Sequence, residues 1–340
     1  MKKIVTFGEI MLRLNPPGYE RFVQADDFEA FFGGAEANVA VSLANFGLDS
    51  VFVTKLPSHE IGQSALNSLR RFGVDVSKVV RGGDRVGIYF LEKGASQRPS
   101  KVIYDRKGSS IAEADPCDFD WKTIFDGASW FHFTGITPAL SDNAASICLE
   151  ACKQAKDKGL MVSCDLNYRK TLWSKEKANK VMSELMKYVN VCFANEEDAA
   201  DIFSISARNT DVESGKLDRF GYTELAETLV EHFSFDYVGI TLRSSITAND
   251  NDWSAMLYDG KRSYFSKEYH LHIVDRVGAG DSSSAAVIYA LINGYDTQKA
   301  VEFAAAASCL KHSVDGDVSY VGLAEVEALM KGAGSGRVKR

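Results

Sequence analysis

"DRVGAGDSSSAA", residues 275–286, sets two glycines around one alanine, follows them with an aspartate, and runs on into serines and small residues. The letters before it, "HIVD", read as a strand end, and "SSSAAVIYALING" reads as a helix, so the glycines occupy a strand-to-helix turn. Glycine lets backbone amides approach a ligand with no Cβ in the way. Those amides and the helix dipole together make an anion site. Asp281, at the helix start, is placed to receive a proton from a hydroxyl held beside it. The same letters also describe a plain turn whose aspartate caps the helix, and spacing alone favours that plainer reading. No G-x-x-x-x-G-K-[ST] occurs in the chain, so the turn is not a Walker A loop. It also fails the dinucleotide fingerprint, because the third glycine position is Ser283 and the turn is C-terminal.

Outward from this turn, strand and helix patterns alternate. "KKIVTFGE", "SVFVTKL", "SWFHFTGI", "LMVSCDLN", "NVCFANE" and "FDYVGITL" read as strands. "AEANVAVSLANFG", "IGQSALNSLRRFG", "SDNAASICLEACKQAKDKG", "KANKVMSELMKYV" and "YTELAETLVEHF" read as helices, and three more are expected over 281–293, 296–312 and 322–331. Repeated β–α units predict a parallel-dominated sheet with helices on both faces. Ligands bind such sheets beyond the strands' C-terminal ends, which directs attention to Glu9, Asn167 to Arg169, Asn195 and Thr241 to Arg243. Three alternating stretches lack a following helix, over about 11–17, 86–93 and 101–107. They predict a small accessory sheet acting as a lid. Its exposed face invites a partner, and a homo-oligomer formed through the lid strands is expected.

Composition narrows the function class. The 340 residues are 45% apolar and carry a net charge of −7. This excludes a general nucleic-acid binder, which needs a basic footprint, and no apolar run is long enough to cross a membrane. An anionic ligand must therefore be held by local arginines, helix N-termini or a metal. The N-terminal "MKKIVTFGEIM" is read as a first buried strand, because Glu9 and Arg13 interrupt it too early for a signal peptide. Six cysteines without C-x-x-C spacing read as free thiols of a cytoplasmic protein. One domain is expected over 1–330, followed by a flexible basic tail over 331–340.

Three stretches together carry a resemblance. "DRVGAGD" resembles the C-terminal signature of the ribokinase (PfkB) family of sugar kinases. "FFGGAEANVAVSLANFG", residues 31–47, resembles its N-terminal glycine-pair motif, and "FANEEDAADIF", residues 193–203, its metal and phosphate motif. Within the family, "GGAEANVA", "YDRKGSS", "GITPALS", "DLNYRKTLW", "ITLR" and "AASCLKHSVDGD" are most similar to the branch acting on 2-keto-3-deoxygluconate. The resemblance implies a ribokinase-like α/β fold with a small β lid, and a kinase using ATP and Mg²⁺ on a small acid sugar. It implies that Asp281 is the base and that Gly278, Ala279 and Gly280 form the anion hole. The sugar is then held by Gly34, Asn38, Tyr89, Tyr104, Arg106, Arg169, Asp281 and Asp317. The nucleotide lies along Asn167, Asn195, the loop carrying Thr241, Arg243 and Ser245, the glycines Gly278 and Gly280, and the last helices at Ala305 and Ser308. Mg²⁺ is reached through water from Asn195 and Asp198.

The chain departs from the family pattern at three places. Asp198 stands where a glutamate is usual, with Glu197 as the alternative contact. Ser283 and Ala286 replace an aromatic and a glycine, leaving room in the pocket or beneath the helix. Residues 243–252 are expected to form a loop without the usual glycines. A kinase for a neutral sugar such as fructose, and a non-catalytic binding protein on the same fold, are the alternative functions.

Overall fold

The computed structural model describes residues 2–206 and 218–332. Of the tail expected over 331–340, residues 333–340 lie outside the described residues. The strands are β1 (Lys3–Phe7), β2 (Met11–Asn15), β3 (Glu29–Gly33), β4 (Asp49–Val53), β5 (Lys55–Leu56), β6 (Val80–Arg81), β7 (Gly87–Glu92), β8 (Lys101–Asp105), β9 (Ala128–Thr134), β10 (Met161–Asp165), β11 (Val191–Ala194), β12 (Tyr237–Ser245), β13 (Asp250–Tyr258), β14 (Ser263–Phe265) and β15 (Tyr269–His272). The helices are α1 (Ala35–Asn45), α2 (Glu60–Arg70), α3 (Trp121–Ile124), α4 (Ile136–Ala139), α5 (Asp142–Asp157), α6 (Lys175–Met186), α7 (Glu196–Phe203), α8 (Arg219–Phe233), α9 (Ala279–Ile292), α10 (Thr297–Lys311) and α11 (Leu323–Met330).

Nine strands form the main sheet in the order β14-β13-β12-β11-β10-β9-β1-β4, with β15 beside β13. From β4 to β12 every pairing is parallel. The last three strands run antiparallel. Successive strand residues point to opposite faces, and each face has its own core. Val5, Phe131, Phe133, Val162 and Cys192 pack under α5, α6, α7 and α8. Ile4, Trp130, Val191, Phe193 and Leu257 pack under α1, α9 and α10. Because both faces are covered, these strands are almost continuously apolar rather than alternating with polar residues.

A second sheet, in the order β3-β2-β7-β8, stands apart from the first. Three of its strands fall in the stretches singled out for a lid, and the fourth, β3, ends in the glycine pair itself. A Cβ on Gly34 would overlap the Glu9 carbonyl, and one on Gly33 would overlap the Asp317 carboxylate. Gly33 is therefore required by close approach to Asp317, and Gly34 by close approach to the backbone of Glu9. At residues 243–252 the structure corrects the expected loop. Strand β12 runs to Ser245 and β13 starts at Asp250, so the polar letters belong to a tight antiparallel hairpin.

Helix α1 has no side-chain cap at Gly34, and Glu36 in its first turn ties it to the main sheet. One carboxylate oxygen of Glu36 accepts from Thr134 N at 3.0 Å, Thr134 Oγ1 at 2.8 Å and Thr137 Oγ1 at 2.6 Å. Burial pushes Glu36 up to about 7 despite these donors. Its native proton affinity exceeds that of the unfolded chain. It therefore adds stability that is complete below the ordinary carboxylate range and lost as pH rises through about 7. Replacing Glu36 with alanine leaves three buried donors unpaired, and a loss of about 3 kcal/mol or more is expected from denaturant midpoints. Glu36→Gln should instead flatten the stability–pH curve between the ordinary carboxylate value and about 7.

Candidate active site

A cavity of about 430 Å³ opens beyond the C-terminal ends of the parallel strands, between the main sheet, the second sheet and the start of α9. It is large enough for a drug-sized ligand. Gly34, Asn38, Tyr89, Tyr104, Arg106, Arg169 and Asp317 line it on the side of the second sheet, and Asn167, Asn195, Asp198, Thr241 and Arg243 on the side of β11 and β12. Gly278, Ala279, Gly280 and Asp281 lie in the same wall.

Helix α9 begins on Gly278, which has φ 81° and offers no capping side chain. The left-handed backbone suits glycine, and the Asp317 carbonyl packs where a Cβ would stand. The first-turn amides of α9 therefore face the cavity free of a side-chain cap. Ser308, on α10, donates to the Ala279 carbonyl at 2.8 Å and braces this turn from behind.

Asp281 accepts from Asn38 Nδ2 at 2.7 Å. Burial, helped by nearby Asp317, raises it to about 6. The Asn38 bond and the positive charges of Arg169 and Lys311 oppose the rise. Asp165, at the end of β10, is held well above the ordinary carboxylate range by burial and by Asp198 and Asp281. Asp198 is raised to about 7, mainly by burial. It is locked by Asn195, whose Nδ2 donates to it at 2.9 Å and whose Oδ1 accepts from its amide at 2.7 Å. Mutually repelling hard oxygens at Asp165 and Asp198 fit a hydrated divalent cation such as Mg²⁺. Among the described residues no group of three His, Cys, Asp or Glu could cage a metal directly.

Arg106 is 7% exposed and stacks over Tyr104 with its guanidinium 4.4 Å from the ring centroid. Glu9 lies 3.4 Å from its Nη1, but the approach is too poorly aligned for a hydrogen bond, so Nη1 and Nε lack an acceptor. Glu9 instead accepts from Ser109 Oγ at 3.0 Å. Arg169 donates to the Tyr168 carbonyl at 3.0 Å. Asn167 takes a left-handed φ of 36° at the cavity rim, a conformation asparagine tolerates, and its amide donates to Asp165 Oδ1 at 3.1 Å.

Several positions differ from the sequence expectation. Ser245 is outside the cavity wall: on β12, Thr241 and Arg243 line the cavity, while Ser245 lies at the exposed end of the hairpin. Ala305 and Ser308 are wholly buried in α10, so the last helices support the site without lining it there. Glu197 is exposed while Asp198 is buried, which leaves Asp198 as the carboxylate of that motif facing the cavity. Asp317 lies in the wall, but both its oxygens are engaged, one by Arg13 at 2.8 Å and the other by the Tyr89 hydroxyl. Ser283 and Ser284 also line the cavity, which extends beneath α9 to Val287, Val301 and Ala304. Sequence reasoning passed over Asp165 and Arg13. A polar residue closing an apolar strand was the available signal for Asp165, and no local signal marks Arg13.

An open helix start, an acid beside it and arginines in the same cavity wall describe a phosphotransferase. The chain belongs to the pfkB family of carbohydrate kinases, whose pattern matches residues 1–230 and 249–319, and its fold is ribokinase-like. A 2-dehydro-3-deoxygluconokinase from Thermotoga maritima is 52% identical, with a TM-score of 0.94 over 97% of this chain and 100% of that one. A 2-dehydro-3-deoxygalactonokinase from Haloferax volcanii is 33% identical over 98% of each chain. A 2-dehydro-3-deoxygluconokinase from Thermoproteus tenax is 29% identical over 93% of this chain and 90% of that one.

With Asp281 near 6, the acidic limb of the pH–rate profile should fall near that pH. Asn38→Ala removes a donor to the carboxylate, so the limb should move to higher pH, by about one unit. Initial rates between pH 5 and 9 would show it, and an unmoved limb would exclude Asp281 as the titrating group.

Proposed function

We propose that this carbohydrate kinase transfers the γ-phosphoryl group of ATP to the terminal hydroxyl of 2-keto-3-deoxygluconate (2-dehydro-3-deoxygluconate), giving ADP and 2-keto-3-deoxy-6-phosphogluconate. The observation that carries the acid-sugar reading is Arg106, a guanidinium in the cavity wall that is stacked on Tyr104 and held by Glu9 only at 3.4 Å. A carboxylate matches a guanidinium in charge and shape, whereas a neutral sugar leaves its charge poorly met. Tyr104, stacked on Arg106, fixes the plane of the guanidinium.

In this reading Gly34, Asn38, Tyr89, Tyr104, Arg106 and Arg169 hold the sugar, and Asn167, Asn195, Thr241 and Arg243 line the nucleotide side. Asp281, mostly ionised at neutral pH with its value near 6, takes the proton of the terminal hydroxyl. The sugar oxygen bonds to the γ-phosphorus as the bond from that phosphorus to the oxygen of ADP breaks. The amides of Gly278, Ala279, Gly280 and Asp281 receive the charge on the group in transfer, a contribution of positioning and electrostatics rather than covalent chemistry. Mg²⁺ bound with ATP supplies charge neutralisation at the phosphates, and Asp165, Asn195 and Asp198 are the residues to hold its water shell.

A second reading is the epimeric sugar acid, 2-keto-3-deoxygalactonate, supported by the name of the Haloferax volcanii relative. Both acids carry the carboxylate that Arg106 addresses. We further infer a homodimer through the second sheet, because β8 is exposed along its whole length and presents Val102, Ile103 and Tyr104. Cysteines that are all free fit a cytoplasmic setting, and no helix among the described residues is long and apolar enough to cross a membrane.

ADP release measured over the two sugar acids, fructose and ribose should favour an acid. Preference for a neutral sugar would overturn the assignment, and binding without release would point to a non-catalytic protein. Asp281→Asn should lower kcat by about 10²–10³-fold or more. Arg106→Ala should raise KM for the acid by about 10–100-fold. Sedimentation should report a dimer that Ile103→Lys dissociates.

A further inference from the structure

Arg13, on β2, is wholly buried and belongs to none of the roles above. Its Nη1 donates to Asp317 Oδ1 at 2.8 Å and its Nη2 to Asp275 Oδ2 at 2.6 Å. Asp275 precedes the glycine turn and shapes it, since its Oδ1 accepts from Val277 N at 3.0 Å and its Oδ2 from Gly316 N at 3.2 Å. Asp317 packs its carbonyl on Gly278 and its carboxylate on Gly33, and its second oxygen accepts from Tyr89. Tyr89 is the register partner of Arg13 across β2 and β7. One guanidinium thus joins the second sheet to both ends of the segment that frames the anion-binding turn.

Nothing in general stability demands this arrangement. Buried ion pairs are replaceable by apolar groups with little loss of stability, and their best-attested use is to fix one geometry. The geometry fixed here is the relative position of two half-sites. Tyr89, Tyr104 and Arg106 ride on the second sheet, and the amides of 278–281 start α9.

We propose that Arg13 is a positioning residue for phosphoryl transfer, bridging Asp275 and Asp317 so that the second sheet and the glycine turn keep a single relative placement. The proposal rests on the kinase reading above for its effect on rate. The bridge needs both guanidinium nitrogens, so a lysine, with one ammonium, cannot span it. It acts on the alignment of bound reactants, so it changes kcat more than the KM for sugar.

The test compares wild type, Arg13→Lys and the charge-balanced pair Arg13→Met with Asp275→Asn. Steady-state kinetics, thermal unfolding and hydrogen exchange of amides 277–281 are measured on each intact protein. In Arg13→Lys, kcat should fall about tenfold or more with sugar KM within about threefold. The charge-balanced pair should lose about 10²-fold in kcat per folded molecule, with faster exchange at 277–281, at temperatures where it is fully folded. Wild-type kcat per folded molecule in either variant, or unchanged exchange in the turn, would overturn the proposal. Exchange reads the turn without turnover, so a wild type that phosphorylates no sugar would sink the functional reading while exchange still judges Arg13.

Discussion

A helix that starts on glycine has first-turn amides that no side chain satisfies, and α9 is such a helix. Left facing water, those amides would be solvated and weak as an anion site. In this fold they open instead into a cavity walled by protein, where a dipole acts more strongly. That demands a helix held rigidly from every other side. Eleven residues of α9 are buried, because α1, α10 and the main sheet surround it. The serines and alanines that follow the turn permit that contact, since a larger side chain would push the neighbours away.

The acidity of the chain is reconciled with anionic ligands by location. Negative charge inside the cavity sits on Asp165, Asp198 and Asp281, and burial raises all three, which softens their repulsion of an incoming anion. Positive charge is supplied by arginines whose donors are incompletely used. Lys311, wholly buried behind the turn, donates to the Val314 carbonyl at 3.1 Å. It offsets part of the charge of Asp275 and Asp317, as its influence on their neighbour Asp281 also indicates.

The β–α rhythm was legible because each parallel strand is short and apolar and each helix ends at a glycine or a polar cap. The glycine turn was legible as a possible anion site, and its pairing with the segment around Asn38 became visible only through family likeness. Strand β3 was obscured by the glycine pair at its end, and the β12–β13 hairpin by the polar letters at its tip. Ser245, Ala305 and Ser308 lie off the cavity wall, because the sequence places a motif in the neighbourhood of a site and does not say which face of its strand or helix looks inward. Arg13 and Asp317 lie 304 residues apart, and no local pattern announces an ion pair at that separation.

The order in which the chain leaves the ribosome adds a consequence of this topology. Strand β1 sits between β4 and β9, and the core over Ile4, Val39, Leu43 and Phe46 is closed by residues of α9 and α10. The first helix must therefore wait, with an uncovered apolar face, until α9 and α10 are synthesised. Such long-range closure is slow and favours association of unfinished chains. Nascent molecules cut short before α10 would present this face to chaperones and proteases, and only chains carrying α9 and α10 would cover it.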